Sequence, residues 1–279
     1  MLGLDPDPAR LWSSAVESAV GESIATQAAD AVERHCCALI DSAGQSCVAI
    51  KPQLACFERL GSAGREALQS VVLHARAAGL IVLADGKRGD IDVSAASYCQ
   101  SLVGSTKTPY GSVDGLGADA FTVNPYLGID TLDVFADGAR AVGAGIFILV
   151  RTSNPGAADL QDLQLADGGT LCERVASIVD RLAGDGELSD VGAVVGATEP
   201  GHLARMRELM PRSIFLLPGV GAQGGTVEQL APAFEPGKAA GLVSASRSIV
   251  FASEEFGGDP ADAARRAAES LRETAWGLS

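Results

Sequence analysis

Eight short apolar runs, each followed by a stretch with helical spacing, constrain what this chain can fold into. The runs fall at 2–6, 47–52, 81–84, 118–123, 145–150, 191–195, 214–217 and 241–244. Between and after them, apolar residues recur at three- and four-residue spacings over 12–41, 62–78, 91–103, 130–141, 171–182, 200–210, 226–231 and 262–276. The segment 226–231 opens with a T-x-x-Q capping box at Thr226 and Gln229. The strand-like runs are continuously apolar and do not alternate, which is the mark of strands covered on both faces. Eight strand–helix alternations of this kind predict a (β/α)8 barrel. With 279 residues and 47% hydrophobic content the chain can bury one large core. The stretch 105–117 reads as a Gly/Ser/Thr/Pro connection. No linker or shift in composition divides the sequence, so a single barrel domain over 1–279 is expected.

The rest of the composition narrows the partners. No apolar run approaches the roughly 18 residues of a membrane span. The start, Met-Leu-Gly-Leu-Asp-Pro, has neither a basic nor an extended apolar signal region. Six scattered cysteines (Cys36, Cys37, Cys47, Cys56, Cys99, Cys172) lack C-x-x-C or zinc spacing. They read as buried free thiols in a reducing, cytoplasmic setting. A net charge of −14 argues against a nucleic-acid or anionic-membrane partner. There are four lysines, Lys51, Lys87, Lys107 and Lys238. Lys51 and Lys87 end or closely follow apolar runs, where an ammonium is costly unless it is paired or in use.

The stretch 81–91 concentrates the chemistry. Ile-Val-Leu-Ala breaks into Asp85, Lys87 and Asp90, with Gly86 and Gly89 between them. Positions two apart on a strand point the same way, so Asp85 and Lys87 are expected to project together. Asp90 lies just before a helix that Asp90, Asp92 or Ser94 could cap. Two carboxylates and an amine converging in one small volume perturb one another's pKa values, as proton transfer requires. Taken alone, D-x-K-x-x-D also describes a charged turn closing a strand.

Most of the unusual polar residues fall just after the apolar runs: Asp5, Lys51, Asp85, Lys87, Asn124, Gln223 and Arg247. In a (β/α)8 barrel these positions share the face that carries active sites. The loops after the seventh and eighth runs read P-G-V-G-A-Q-G-G and S-A-S-R-S. Glycines let backbone N–H groups approach an anion, a helix start favours negative charge, and Arg247 can grip phosphate oxygens bidentately. A phosphate site is therefore expected there. By contrast, His35, His74 and His202 lie within helical stretches and read as packing or surface residues. Phe121 and Tyr126 read as core, Gly64–Arg65 and Glu254–Glu255 as solvated turns. No His/Cys/Asp cluster has metal spacing.

Taken in order, Leu-Asp5-Pro, V-A-I-Lys51-P-Q, L-A-Asp85-G-Lys87-R-G-Asp90-I, N-P-Y-L-G, T-S-N-P, V-V-G-A-T, P-G-V-G-x-Q-G-G and S-Arg247-S-I resemble the orotidine 5′-phosphate decarboxylases, in the bacterial branch with long loops. The resemblance covers essentially the whole chain. It implies a dimeric barrel that decarboxylates orotidine 5′-phosphate to UMP, the last step of pyrimidine nucleotide synthesis, with no cofactor and no metal. It also implies that Lys51, Asp85, Lys87 and Asp90 form an alternating charge array, with Asp90 reaching the neighbouring subunit's site. Asp5 and Lys51 would contact the ribose hydroxyls and Asn124 the pyrimidine edge. Gln223, with Gly224 beside it, and Arg247 would hold the phosphate. Ser94 stands where the family usually has Thr and keeps the hydroxyl. Asp92 stands where Gly or Pro is usual, and the chain begins unusually close to Asp5. Two alternatives stay open: a metal-dependent sugar-phosphate decarboxylase sharing D-x-K-x-x-D, and an inactive phosphate-binding barrel.

Overall fold

The structure, a computed structural model, describes residues 1–196, 200–219 and 227–278. The chain opens with β1 (Leu2–Leu4), α1 (Ser13–Glu17), α2 (Ile24–Ala43), β2 (Ala49–Pro52), α3 (Leu54–Glu58), α4 (Gly61–Ala77) and β3 (Ile81–Arg88). It continues with α5 (Asp92–Leu102), β4 (Ser105–Thr108), β5 (Gly111–Asp114), β6 (Ala120–Val123), α6 (Ile129–Arg140), β7 (Gly145–Arg151), α7 (Ala157–Gln161), α8 (Leu171–Leu182) and β8 (Ser189–Val195). It ends with α9 (Pro200–Leu209), β9 (Ser213–Leu217), β10 (Gly241–Val243), α10 (Arg247–Val250), α11 (Ala252–Phe256) and α12 (Pro260–Trp276).

One eight-stranded sheet has the order β1-β2-β3-β6-β7-β8-β9-β10, and β4 and β5 pair separately. The strands of the eight-stranded sheet pair in parallel, with Gly3 opposite Lys51 and Phe121 opposite Ile146, whereas β4 and β5 are antiparallel. Ala245, just past β10, forms a parallel bridge back to Leu2 of β1. Eight parallel strands taken in chain order with helices between them are a (β/α)8 barrel. Each predicted strand is present.

The residues sort into two compact units that interleave along the chain. The first comprises Met1–Gly86, Leu116–Ala118 and Ala245–Arg272. In it α2 lies on α4 and buries Val32, Leu39, Leu68, Val71 and Val72 completely or nearly so. The second comprises the described residues of 87–115, 119–244 and 273–278. There Phe121 and Phe135 meet edge to face with centroids 5.8 Å apart, the preferred geometry for buried rings.

Several local expectations need correction. The helix expected over 12–41 is two helices. Gly21 lies so close to the first turn of α2 that a Cβ there would sit 2.3 Å from the Gln27 nitrogen. Ser23 and Thr26 then start α2 with a reciprocal capping box. The connection 105–117 contains the β4–β5 hairpin, whose residues are nearly all exposed. It carries no apolar alternation because backbone pairing and not burial holds it. β3 runs on through Asp85 and Lys87 to Arg88. The N-cap of α5 is Ile91, with no side-chain cap; the Asp90 carboxylate instead accepts the Ile91 N–H at 2.9 Å. Val227–Phe234 is a 3-10 helix containing Pro232, and Thr226 lies outside the described residues.

Of the residues set aside as bland, Phe121 is buried but Tyr126 is 77% exposed. Gly64 is not a solvated turn. It is buried in α4, where a Cβ would collide with the Phe57 carbonyl. Glu254 belongs to α11 and pairs with Arg10. His35 is buried and His74 pairs with Asp41 at 2.7 Å. All six cysteines are free, but Cys37, Cys47 and Cys56 are only half-buried. Burial pushes the Cys37 and Cys99 thiols up to about 11, so both stay protonated and unreactive. Among the described residues, no helix is long and apolar enough to cross a membrane.

Candidate active site

Three adjacent strand ends of the first unit bring together residues that are far apart in sequence. β1 delivers Asp5, β2 carries Lys51, and β3 carries Asp85. The Lys51 ammonium lies 2.9 Å from Asp85 Oδ2 and 3.7 Å from Asp5 Oδ1. The side chains of Lys51 and Asp85 are only 9% and 8% exposed, whereas Asp5 is exposed. Gln53, bridged to Asp85 through the backbone, donates its amide N–H to the same Oδ2 at 3.2 Å. Burial acts to lower the Lys51 pKa. The charges and hydrogen bonds of Asp85 and Asp5 outweigh it, and the pKa is raised above the ordinary lysine value. Lys51 is therefore a fixed cation at neutral pH, and Asp85 has a permanent counter-charge in a dry place.

Arg247 opens α10 in the same unit and is exposed. It borders a cleft together with Asp5, Ser246, Arg10, His35 and Phe251. Ser246 turns the chain from β10 into α10, its carbonyl accepting the Ile249 and Val250 N–H groups. A guanidinium held at the edge of a cleft is suited to an anionic group.

The second unit holds the remaining expected residues. Lys87 has φ of +46°, a left-handed conformation that a side chain with a Cβ rarely adopts. Its N–H donates at 2.8 Å to the hydroxyl of Thr122, which is 1% exposed on β6. That bond helps hold the strained residue in place. Strict two-residue alternation therefore does not extend to Lys87, which is exposed while Asp85 is buried. Asn124 donates its backbone N–H to the Arg88 carbonyl at 2.8 Å, and its side-chain oxygen accepts from the Tyr126 N–H at 2.9 Å. Gly89 makes room for it, since a Cβ there would lie 3.2 Å from the Asn124 Cβ. Asp90 is half-buried before α5, and Ser94 is exposed in its first turn. Gln223 and Gly224 lie outside the described residues.

Two participants were not singled out from the sequence. Gln53 stands inside the quoted K-P-Q run, and Thr122 is the lone hydroxyl in the apolar run A-F-T-V. A hydroxyl in a buried strand is a usable signal, because it must find a partner. Among the described residues, no group of three or more His, Cys, Asp or Glu side chains is set to hold a metal ion.

Comparison with known proteins identifies the family. Residues 2–267 match the family model described as orotidine 5′-phosphate decarboxylase / HUMPS family. The chain belongs to the orotidine 5′-phosphate decarboxylase / HUMPS family. Within this decarboxylase family, a relative from Rhodopirellula baltica named orotidine 5′-phosphate decarboxylase is 44% identical over 265 residues, spanning 91% of this chain and 85% of that protein. One of the same name from Deinococcus radiodurans is 46% identical over 240 residues, spanning 84% and 81%. The solved structure of Leishmania donovani OMP decarboxylase has the same fold, with a TM-score of 0.73, 31% identity, and coverage of 98% of this chain and 92% of that one.

Proposed function

We propose that this protein decarboxylates orotidine 5′-phosphate to UMP and CO2, acting in pyrimidine nucleotide synthesis. The observation that carries the reading is the buried Lys51–Asp85 pair with Asp5 beside it, in a chain whose relatives bear this activity in their names. Loss of CO2 leaves negative charge on a pyrimidine ring carbon. A fixed ammonium beside that carbon stabilises the charge as it develops and supplies the proton that replaces CO2. Lys87 takes this role. Its φ of +46° supports it, because strain of this kind clusters where a side chain must be aimed. Asp85, locked between Lys51 and Gln53, sets a carboxylate near the departing one. Lys51 and Asp5 hold the ribose hydroxyls, Asn124 the pyrimidine, and Arg247 with Gln223 and Gly224 the phosphate, with Ser94 also contacting the substrate. Binding at the phosphate, remote from the reacting carbon, lowers the barrier by fixing the ring against Lys87.

The same reading makes 1–279 one barrel domain acting as a cytoplasmic homodimer, with Asp90 completing the neighbouring subunit's charge array. A single family model spanning 2–267 supports the single domain. The net charge of −14 is in keeping with a small-molecule substrate and no nucleic-acid partner. The test is the ultraviolet absorbance of orotidine 5′-phosphate on addition of purified protein, with and without EDTA. Rapid, EDTA-insensitive loss of substrate absorbance is expected. No turnover by folded protein would overturn the assignment, and turnover abolished by EDTA would overturn its metal-independence.

A further inference from the structure

α10 is a four-residue helix, too short to fix Arg247 by its own hydrogen bonds. Its far end is held instead by the segment 6–12, the same segment that leaves Asp5. The Trp12 indole N–H donates at 3.2 Å to the carbonyl of Val250, one of the terminal carbonyls that a helix cannot satisfy internally. The Trp12 backbone N–H donates at 3.2 Å to Nδ1 of His35, whose ring stands edge-on to the indole at 5.2 Å. Trp12 is 8% and His35 2% exposed. Further out, the Arg10 guanidinium lies 3.9 Å over the Phe251 ring and makes two hydrogen bonds to Glu254, at 2.8 and 2.9 Å. The start of the segment is anchored by Arg59, which donates to the Pro6 carbonyl. An exposed pair such as Arg10–Glu254 adds little to stability. Two of these contacts, Trp12 to Val250 and Arg10 over Phe251, join the exit of β1 to the end of the helix that bears Arg247; those to His35, Glu254 and Arg59 fix the segment itself.

We propose that segment 6–12 is a strap that sets Arg247 relative to Asp5, with Trp12 and His35 as positioning residues for the phosphate-bearing end of the substrate. The inference rests on the reading of Arg247 as a phosphate ligand given above. A guanidinium fork recognises phosphate through paired, directional hydrogen bonds, so small displacements of α10 weaken binding.

The test compares Trp12→Phe, which keeps an aromatic ring but removes the donor to Val250, with Arg247→Ala and the double variant. Each is assayed on orotidine 5′-phosphate and on orotidine, which lacks the phosphate. Trp12→Phe is expected to raise KM for the phosphorylated substrate about tenfold or more with kcat changed by less than about threefold. It should leave kcat/KM for orotidine unchanged and add nothing in the Arg247→Ala background. Equal losses on both substrates, or effects that multiply with Arg247→Ala, would overturn the strap, as would an unchanged KM. Should Trp12→Phe fail to fold, the exposed Glu254→Gln gives the same comparison, with a KM rise of about threefold expected. If Arg247→Ala itself leaves KM untouched, the phosphate reading fails and the strap with it. If Arg247→Ala raises KM and the strap variants do not, the strap alone fails.

Discussion

Lys51 and Asp85 illustrate how buried charge constrains a single residue. Both side chains are under 10% exposed, so each charge depends on the partners packed against it. Lys51→Met should therefore take away the cation that balances the buried Asp85 and cost about 3–5 kcal/mol of stability, read as a lower urea midpoint. A midpoint within error of the parent would mean that Asp85 finds another partner. Lys87 is different, being exposed and strained. Lys87→Ala should lower kcat by about a thousandfold or more while UMP still binds, measured by single-turnover assay and titration calorimetry. Near-normal turnover would remove it as proton donor. Asp92 has φ of +43°, which glycine adopts freely and proline cannot. Asp92→Gly should stay within about 1 kcal/mol of the parent, while Asp92→Pro should lose more than that. Residue identities and their grouping at strand ends were legible in the sequence. The positive φ at Lys87 and Asp92 was not, because nothing in a lysine or aspartate codes for it.

At the scale of elements, buried polar groups tie helices to strands. Arg207 on α9 is 6% exposed and donates to the carbonyls of Met210, Ser213 and Ala233 at 2.9, 2.8 and 2.6 Å. Its guanidinium also lies 3.8 Å over Phe215. Arg207→Met should cost about 3 kcal/mol or more, since several buried carbonyls lose a charged donor at once. His35 joins α2 to Trp12, and burial pushes its pKa down from 6.5 to about 4. The native state thus binds the proton less readily than the unfolded chain. The stability this confers is complete above pH 6.5 and is lost as pH falls toward 4, by up to about 3 kcal/mol. Urea midpoints of His35→Gln should lack that decline; parallel curves for the two proteins would show that His35 does not titrate in this way. The long helices were readable because their apolar faces repeat. The break before α2 and the β4–β5 hairpin were not, since a tight turn at Gly21 and an exposed ladder leave no periodic signal.

At the scale of the whole molecule, the proposed dimer can be tested directly. Mixed subunits carrying Lys87→Ala and Asp90→Ala should recover up to about a quarter of parental activity when random exchange gives one intact site in half of the dimers. No recovery after proven exchange would count against a shared site. The sequence by itself determined the eight strands of the main sheet and the parallel (β/α)8 class, because continuous apolar runs alternating with helices can be buried in few other ways. It also pointed to Asp5, Lys51 and Asp85, which the structure brings together, because polar residues at the ends of apolar strands are costly unless they are used. Only the tertiary structure decided that Lys51 is shared between Asp85 and Asp5, that Gln53 and Thr122 support their neighbours, and that segment 6–12 reaches α10. These are contacts between residues tens to hundreds of positions apart, and their geometry depends on strand register and side-chain packing, which no local pattern encodes.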